Sequence, residues 1–579
     1  MFKEISITNK TMELTDCKES WFFDEKYDCW CLEDILYTEK ATTPKFQRLS
    51  IFVPAPYMSE PGVIDNTGEK NGYTAKTVPV IFENNSAGYM QMPHTWLRGP
   101  RCYAEQYLKQ GYVYVTCGNR GHESRNQRGE YCGKSPINLV DLKTAIRFIR
   151  HNREALPGDT DKIISVGWSA GGAMSTLLAV TGDNDNFVSY LEENGAFMNE
   201  SDAVYASQIY CPIVDLEHAD LAYEWLFAAD KENETSPAGP AGVMTPFEEA
   251  LSVKLKKEYI AYFNGLKLQD PETGEVLSLS ADGRGGNGYT YLMKKLNESA
   301  TIYLTKLSKG ELQERYSVED YLAGNYTYMA PAPMGGPGGP DDDKSDLMQG
   351  HAGPGVALQK PPVGGSEKPD GPMEPPTLAD MLLRPPKGVS YEPFEPPMIE
   401  VSGKDKNDWL TWDGKKADIK DLDSYVLNHR RRMKPCTSFD ILKKESGENK
   451  VFGTAGQPNM HFNSYIADAI ASLRDKFPTE YETYYEAYAA VKGDEALARR
   501  IYLINPLNYI GTDEKSTQAK YCRIRVGASD ADTSFTVSMT LALKLHAAGI
   551  PVDFQLVWDQ PHSEADYAGE VIDWIESIV

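Results

Sequence analysis

Lys162–Trp168 (KIISVGW) has the apolar, β-branched composition of a buried strand, and it runs straight into Gly167-Trp168-Ser169-Ala170-Gly171-Gly172. From Ala173 the apolar residues Met174, Leu177, Leu178 and Val180 follow a helical period. A chain that turns from strand to helix within so few residues needs small side chains on both sides of the turn. Such a turn lifts the side chain at its apex clear of the backbone. The apex residue here is Ser169. A serine hydroxyl is a poor nucleophile unless it is exposed and its proton has somewhere to go. The turn supplies the exposure, and the N–H of Ala170 at the helix start is available to a developing oxyanion. The G-x-S-x-G pattern alone is common. The strand–turn–helix setting favours a nucleophile over a packing turn.

The same rhythm recurs on either side. Phe46–Pro54 (FQRLSIFVP), Val78–Glu83 (VPVIFE) and Tyr112–Cys117 (YVYVTC) read as strands, and Leu139, Leu142, Ala145, Ile146 and Ile149 mark a helix between Asn138 and Asn152. It returns near the C-terminus with a strand at Tyr521–Val526, a helix at Thr536–Ala548, a strand at Val552–Trp558 and a helix at Tyr567–Ile578. Strands alternating with helices predict an α/β fold whose mostly parallel sheet is covered on both faces.

A chain of 579 residues exceeds what one core usually organises. We expect residues 1–213 and 511–579 to build one core, split by a lid inserted over 214–510. Helical stretches at Glu248–Tyr262 and Asn463–Lys476 and a Tyr-rich run from Tyr481 to Tyr488 fall in that insert. Within it, Pro331–Pro397 holds 16 of the 36 prolines, a composition too poor in apolar residues to offset its ordering entropy. A formal charge of −25 would repel a phosphate backbone or an anionic membrane surface, so neither nucleic acid nor membrane is an expected partner. The N-terminus has no apolar signal region, and nine scattered cysteines fit reduced thiols in the cytosol. Cys29-Trp30-Cys31 is too tight for a zinc site, and neither metal nor cofactor is expected.

A nucleophile of this kind needs a base and an acid, in the chain order Ser, acid, His. His562, in Trp558-Asp-Gln-Pro-His562-Ser563, alone lies just after the last core strand; His94, His122 and His218 sit at the ends of other strands. The preceding strand ends in Gly527-Ala-Ser-Asp530-Ala-Asp532, where Asp530, nearer the strand, is suited to orient the imidazole, leaving Asp532 for another task. Helix capping by both aspartates is the competing reading. A second oxyanion donor is expected in the loop Glu83–Met90, where Gly88 lets backbone approach a substrate closely.

These segments together resemble the bacterial tannases of the α/β-hydrolase superfamily, the lid-bearing tannin acyl hydrolases. The likeness runs through the NNSAGYM loop, the GWSAGG turn, Tyr210-Cys-Pro-Ile213, Asn505-Pro-Leu-Asn-Tyr-Ile510 and the GASDADT and WDQPHS segments, and covers most of the chain outside Pro331–Pro397. It implies a Ser169–His562–Asp530 triad that hydrolyses galloyl esters, small-molecule substrates, through an acyl-enzyme. It also implies a grip on the three ring hydroxyls by Lys434 and Glu448 of the lid and Asp532 beside the triad acid. Charged partners strengthen such bonds. The fungal tannases pair cysteines beside their Ser and His; Trp168, Pro561 and Ser563 stand here instead, which excludes that branch.

Four other readings compete. A feruloyl esterase or general carboxylesterase of the same fold would lack the polar grip on the ring. A prolyl-oligopeptidase-type peptidase would carry a β-propeller before the nucleophile and keep Ser and Asp much closer in sequence. A catalytically dead hydrolase used for binding would have lost one of the three groups.

Overall fold

The computed structural model describes residues 13–97, 99, 102–231, 243–312, 314, 316–331, 398–402, 408–512 and 514–579. Its centre is a nine-stranded sheet. In chain order the strands are β1 (Phe22–Asp24), β2 (Cys29–Leu36), β3 (Arg48–Pro54), β4 (Pro79–Asn84), β5 (Val113–Cys117), β6 (Asp159–Trp168), β7 (Ala206–Tyr210), β8 (Tyr521–Gly527) and β9 (Val552–Val557). They lie in the order β1-β2-β3-β5-β4-β6-β7-β8-β9. The first four neighbours pair antiparallel, and every pair from β5 to β9 is parallel. All residues of β4, β5 and β7 are buried, as expected for strands covered on both faces.

Helix α1 (Ile137–His151) and helix α2 (Ala170–Val180) follow the alternation expected from sequence. The second begins three residues before its apolar period does, because Ala170, Gly171 and Gly172 are helical but too small to mark a face. The helix expected over 463–476 spans Ser464–Ser472 and is followed by a second, Pro478–Ala489, that carries the tyrosines. Pro478 opens that second helix, and Phe477 before it is held out of the helical region, at φ −133°.

β7 pairs with β6 on one side and with β8 on the other, although about half the chain separates β7 from β8 in sequence. Among the described residues, nothing between β7 and β8 adds a strand to the central sheet. Within that stretch Thr327–Pro331 and Met398–Ser402 pair antiparallel, Pro331 opposite Met398. The Gly/Pro-rich tract expected over 331–397 lies, apart from Pro331, outside the described residues. Among those residues no helix is long and apolar enough to cross a membrane.

Helix α3 (Leu216–Leu226) follows β7 and anchors a segment about two hundred residues further on. Asp220 and Glu224 share one helical face and are both fully buried. One carboxylate oxygen of Asp220 accepts the N–H groups of Ser438 (2.7 Å) and Phe439 (2.9 Å); the other accepts Asp440 N–H (3.1 Å) and Asn463 Nδ2 (3.2 Å). Glu224 takes both Nη groups of buried Arg432. Asp440 in turn binds His461 Nδ1 (2.6 Å), Asn449 Nδ2 (2.7 Å) and the N–H groups of Phe462 (2.7 Å) and Asn463 (2.8 Å). A chain of buried carboxylates thus fixes residues 432–463, whose polar backbone would otherwise be unsatisfied.

Burial, with the neighbouring Asp440 charge, pushes the Asp220 carboxyl up to about 6. Because that lies above the ordinary value of 3.8, folding disfavours ionisation. The stability Asp220 contributes is complete below 3.8 and is lost as pH rises through about 6. Asp220→Asn removes the titration along with an acceptor. The stability of the wild type relative to this variant should therefore fall by on the order of 3 kcal/mol as pH is raised from acid to neutral. Urea unfolding of both proteins across that range checks it; a pH-independent difference would refute the perturbed carboxyl.

Candidate active site

The parallel register levels the carboxyl ends of three strands: Trp168 faces Tyr210, and Tyr210 faces Arg525. Three loops therefore leave the sheet side by side. The first is the turn at Ser169, which holds φ 60° and ψ −128°, a left-handed conformation costly for a residue with a Cβ. Two glycines make it sterically feasible. A Cβ on Gly167 would lie 2.3 Å from the Gly171 carbonyl, and one on Gly172 would lie 2.4 Å from the Tyr210 carbonyl. Ser169 is anchored from both directions: its N–H donates to Tyr210 O (3.1 Å) and its carbonyl accepts Ile213 N–H (3.2 Å).

The loops after β8 and β9 bring in the other expected partners. His562 Nε2 lies 2.8 Å from Ser169 Oγ, and His562 Nδ1 lies 2.8 Å from Asp530 Oδ2. All three side chains are buried. The other Asp530 oxygen accepts the N–H of Asp532 (2.8 Å), which fixes the carboxylate plane. The two loops also touch through backbone. Ser529 N–H donates to Gln560 O (2.9 Å), and a Cβ on Gly527 would sit 2.2 Å from the carbonyls of Gln560 and Pro561. Burial opposes charging the imidazole, but the carboxylates of Asp530 and Asp532 outweigh it and raise the His562 pKa well above 6.5. An imidazole so placed can accept a proton from Ser169 and hold it.

The loop after β4 crosses the start of α2: a Cβ on Gly171 would lie 3.0 Å from Asn84 O and 3.4 Å from Ser86 N. Here Ala87–Tyr89 form a 3-10 turn in which Gly88 adopts φ 57°. Ala170 and the Gly88 turn therefore flank Ser169 together. Against the turn packs helix α4 (Gly447–Val451), capped by Ser446 Oγ, which accepts Asn449 N–H (3.0 Å). A Cβ on Gly447 would lie 3.0 Å from Gly88 O. Glu448 is buried in this helix, and its charge reinforces the effect of burial in raising the Tyr89 phenol.

Lys434 and Asp532 meet on the other side, through Tyr223 of α3. The Tyr223 hydroxyl accepts the N–H groups of Met433 (3.2 Å) and Lys434 (3.1 Å) and donates to Ala531 O (2.9 Å). Lys434 is half-buried with Nζ 4.2 Å above the Phe439 ring, and Asp532 is buried. Residues just before Lys434 hold the rest of this loop: Tyr425 donates to Ala528 O, His429 lies 3.1 Å from Ser529 Oγ, and Arg430 donates to Thr533 O.

Ser169, His562 and Asp530 are thus in direct hydrogen-bond contact, with Ala170 and Glu448 on helices and Gly88, Lys434 and Asp532 on loops nearby. Of the other strand-end histidines, His94 is bonded to Ser50 Oγ (2.7 Å) and His218 to Asp215 (2.8 Å). Sequence reasoning missed Tyr223, whose spacing from Asp220 and Glu224 on one helical face was the available signal. It also missed Cys211, whose Sγ lies within 4.8 Å of ligand atoms of Asp530 and His562. That trio could in principle ligate a metal, but its imidazole and carboxylate already bond each other.

The family model BD-FAE matches residues 75–236. No curated protein matches the chain. Among solved structures, the native tannin acyl hydrolase from Lactobacillus plantarum is 28% identical, with a TM-score of 0.69 over 95% of this chain and 94% of that one. A tannin acyl hydrolase in complex with ethyl gallate gives 28% identity and a TM-score of 0.68 over 95% and 94%. The Fusobacterium nucleatum tannase gives 27% and 0.67 over 95% of both chains. In sequence and in fold the chain resembles the bacterial tannin acyl hydrolases over nearly its whole length, and it is a carboxylic ester hydrolase of the α/β-hydrolase fold.

Proposed function

We propose that the protein hydrolyses galloyl esters of tannins and simple gallates, and protocatechuoyl esters as well, releasing the phenolic acid and an alcohol. The observation that carries this reading is the hydrogen-bonded line Ser169–His562–Asp530, with three charged residues, Lys434, Glu448 and Asp532, on the segments that pack nearby. Residues 214–510 would act as the lid that brings in Lys434 and Glu448. A reducing, cytosolic setting, in which the nine cysteines would stay thiols, belongs to the same reading.

In this mechanism Ser169 Oγ attacks the ester carbonyl carbon while His562 Nε2 takes the hydroxyl proton. The carbonyl electrons move to an oxyanion facing the Ala170 N–H and the Gly88 turn. Collapse re-forms the carbonyl and breaks the bond to the alcohol oxygen, which leaves with the proton from His562. Water then gives its proton to His562 and attacks the galloyl-enzyme. A second collapse restores Ser169 and frees gallate. Asp530 keeps its charge throughout, fixing the Nδ1–H tautomer and stabilising the imidazolium. On the ring, carboxylates at Glu448 and Asp532 would accept from phenolic hydroxyls, and the Lys434 ammonium would donate to one.

Two measurements test this. Ser169→Ala should leave the thermal midpoint unchanged and lower kcat on methyl gallate by about a thousandfold or more. Retention of more than a few percent of the activity would sink the nucleophile assignment. Lys434→Ala and Glu448→Ala should each lower the ratio of kcat/KM for methyl gallate over methyl benzoate by about 10- to 100-fold, because the charge that reads the hydroxyl is gone. Ratios equal to wild type, or methyl ferulate preferred to methyl gallate, would leave an esterase of another specificity.

A further inference from the structure

We infer that the hydroxyl of Tyr223 is a positioning group that sets the separation of Lys434 and Asp532, and through it the preference for rings bearing adjacent hydroxyls. The inference rests on the reading of Lys434 and Asp532 as ring-binding residues. Tyr223 is fully buried on α3, and its hydroxyl makes every hydrogen bond a phenol can make, two accepted and one donated. The accepted pair comes from the lid, at Met433 and Lys434. The donated bond goes to Ala531, next to Asp532 and one residue beyond Asp530. A single oxygen therefore joins two backbone segments that lie about a hundred residues apart in sequence, each carrying one charged group of the site.

The remaining contacts keep the lid attached without it. Arg432 stays on Glu224, and Ser438 and Phe439 stay on Asp220, so the segment is anchored on both sides of Lys434. At residues 433–434 the phenol takes both backbone N–H groups, while the Lys434 carbonyl also accepts from Arg432 Nη1 (3.3 Å). Loss of the hydroxyl should loosen those residues and leave the fold standing. Recognition of neighbouring hydroxyls depends steeply on the spacing of the groups that bind them, and a site about 1 Å too loose loses much of its discrimination. Tyr223 has no role in the bond-breaking steps, so esters without ring hydroxyls should not register its loss.

The test compares Tyr223→Phe, Lys434→Ala, the double variant and wild type on methyl gallate, methyl benzoate and a short aliphatic ester. Tyr223→Phe should lower the gallate-to-benzoate ratio of kcat/KM by about tenfold, mainly through a higher KM for gallate. Its kcat on the aliphatic ester should stay within about twofold of wild type. The double variant should be scarcely worse than Lys434→Ala, because the two changes disable one arrangement. An unchanged ratio with Tyr223→Phe, or an equal loss on all three esters, overturns the inference. If Lys434→Ala leaves the ratio unchanged, it is the ring-binding reading that fails. Should Tyr223→Phe not accumulate as folded protein, 3,5-difluorotyrosine at position 223 keeps the shape and weakens the phenol as an acceptor. It should shift the ratio in the same direction, and no shift would overturn the inference.

Discussion

Parallel register is the constraint on which the rest of this molecule depends. β6, β7 and β8 are matched residue for residue, so Trp168, Tyr210 and Arg525 stand level at one edge of the sheet. β8 runs two residues further, to Gly527 opposite the end of β9, and the loops that follow bring a serine, an aspartate and, from β9, a histidine within hydrogen-bond distance. A slip of one residue would invert the facing of every side chain on the strand concerned. The backbone contacts at Ser169, Gly527 and Ser529 refine the arrangement, but they presuppose the register.

The parts of the site legible in the sequence are those whose requirements are local. The turn at Ser169 needs glycines at 167, 171 and 172, and the base needs only to follow the last strand, so Ser169, His562 and Asp530 could be named from motif and order. Ala170 and Gly88 followed from where those loops begin. Lys434 and Glu448 are different. Both lie in charged stretches with no period, and without the family likeness each reads as solvated surface. Their positions are fixed from far away in sequence, by Asp220, Tyr223 and Glu224 on α3 and by Asp440. Such pairings leave no spacing to detect. Two of the helix boundaries missed by a few residues fall at Ala-Gly-Gly and before Pro478, where small size or backbone restriction overrides the apolar pattern; the last helix also starts three residues later than expected, at Glu570.

The buried charges divide into two kinds. Glu224 with Arg432 is a neutralised pair of the sort that costs heavily when one partner is removed. Asp220 and Asp440 are two carboxylates held close by backbone amides, and their mutual repulsion is part of what raises Asp220. The first kind gives rigidity that hardly varies with pH. The second makes the anchoring of residues 438–463 sensitive to proton concentration. His562 belongs to neither: the carboxylates of Asp530 and Asp532 favour its charged form against the cost of burial.

The ladder between Thr327–Pro331 and Met398–Ser402 bears on how the chain tolerates change in length. Because Pro331 lies opposite Met398, the two ends of the stretch between them are held side by side. Whatever is spliced between those two residues has its ends already joined, and closing a longer loop adds only a logarithmic entropy term. The ladder would thus act as a port, at which sequence could be gained, lost or exchanged while the strands that set the register stay unaffected. Evolution could remodel that stretch independently of the chemistry, and a protein engineer could use the same point to graft a foreign domain.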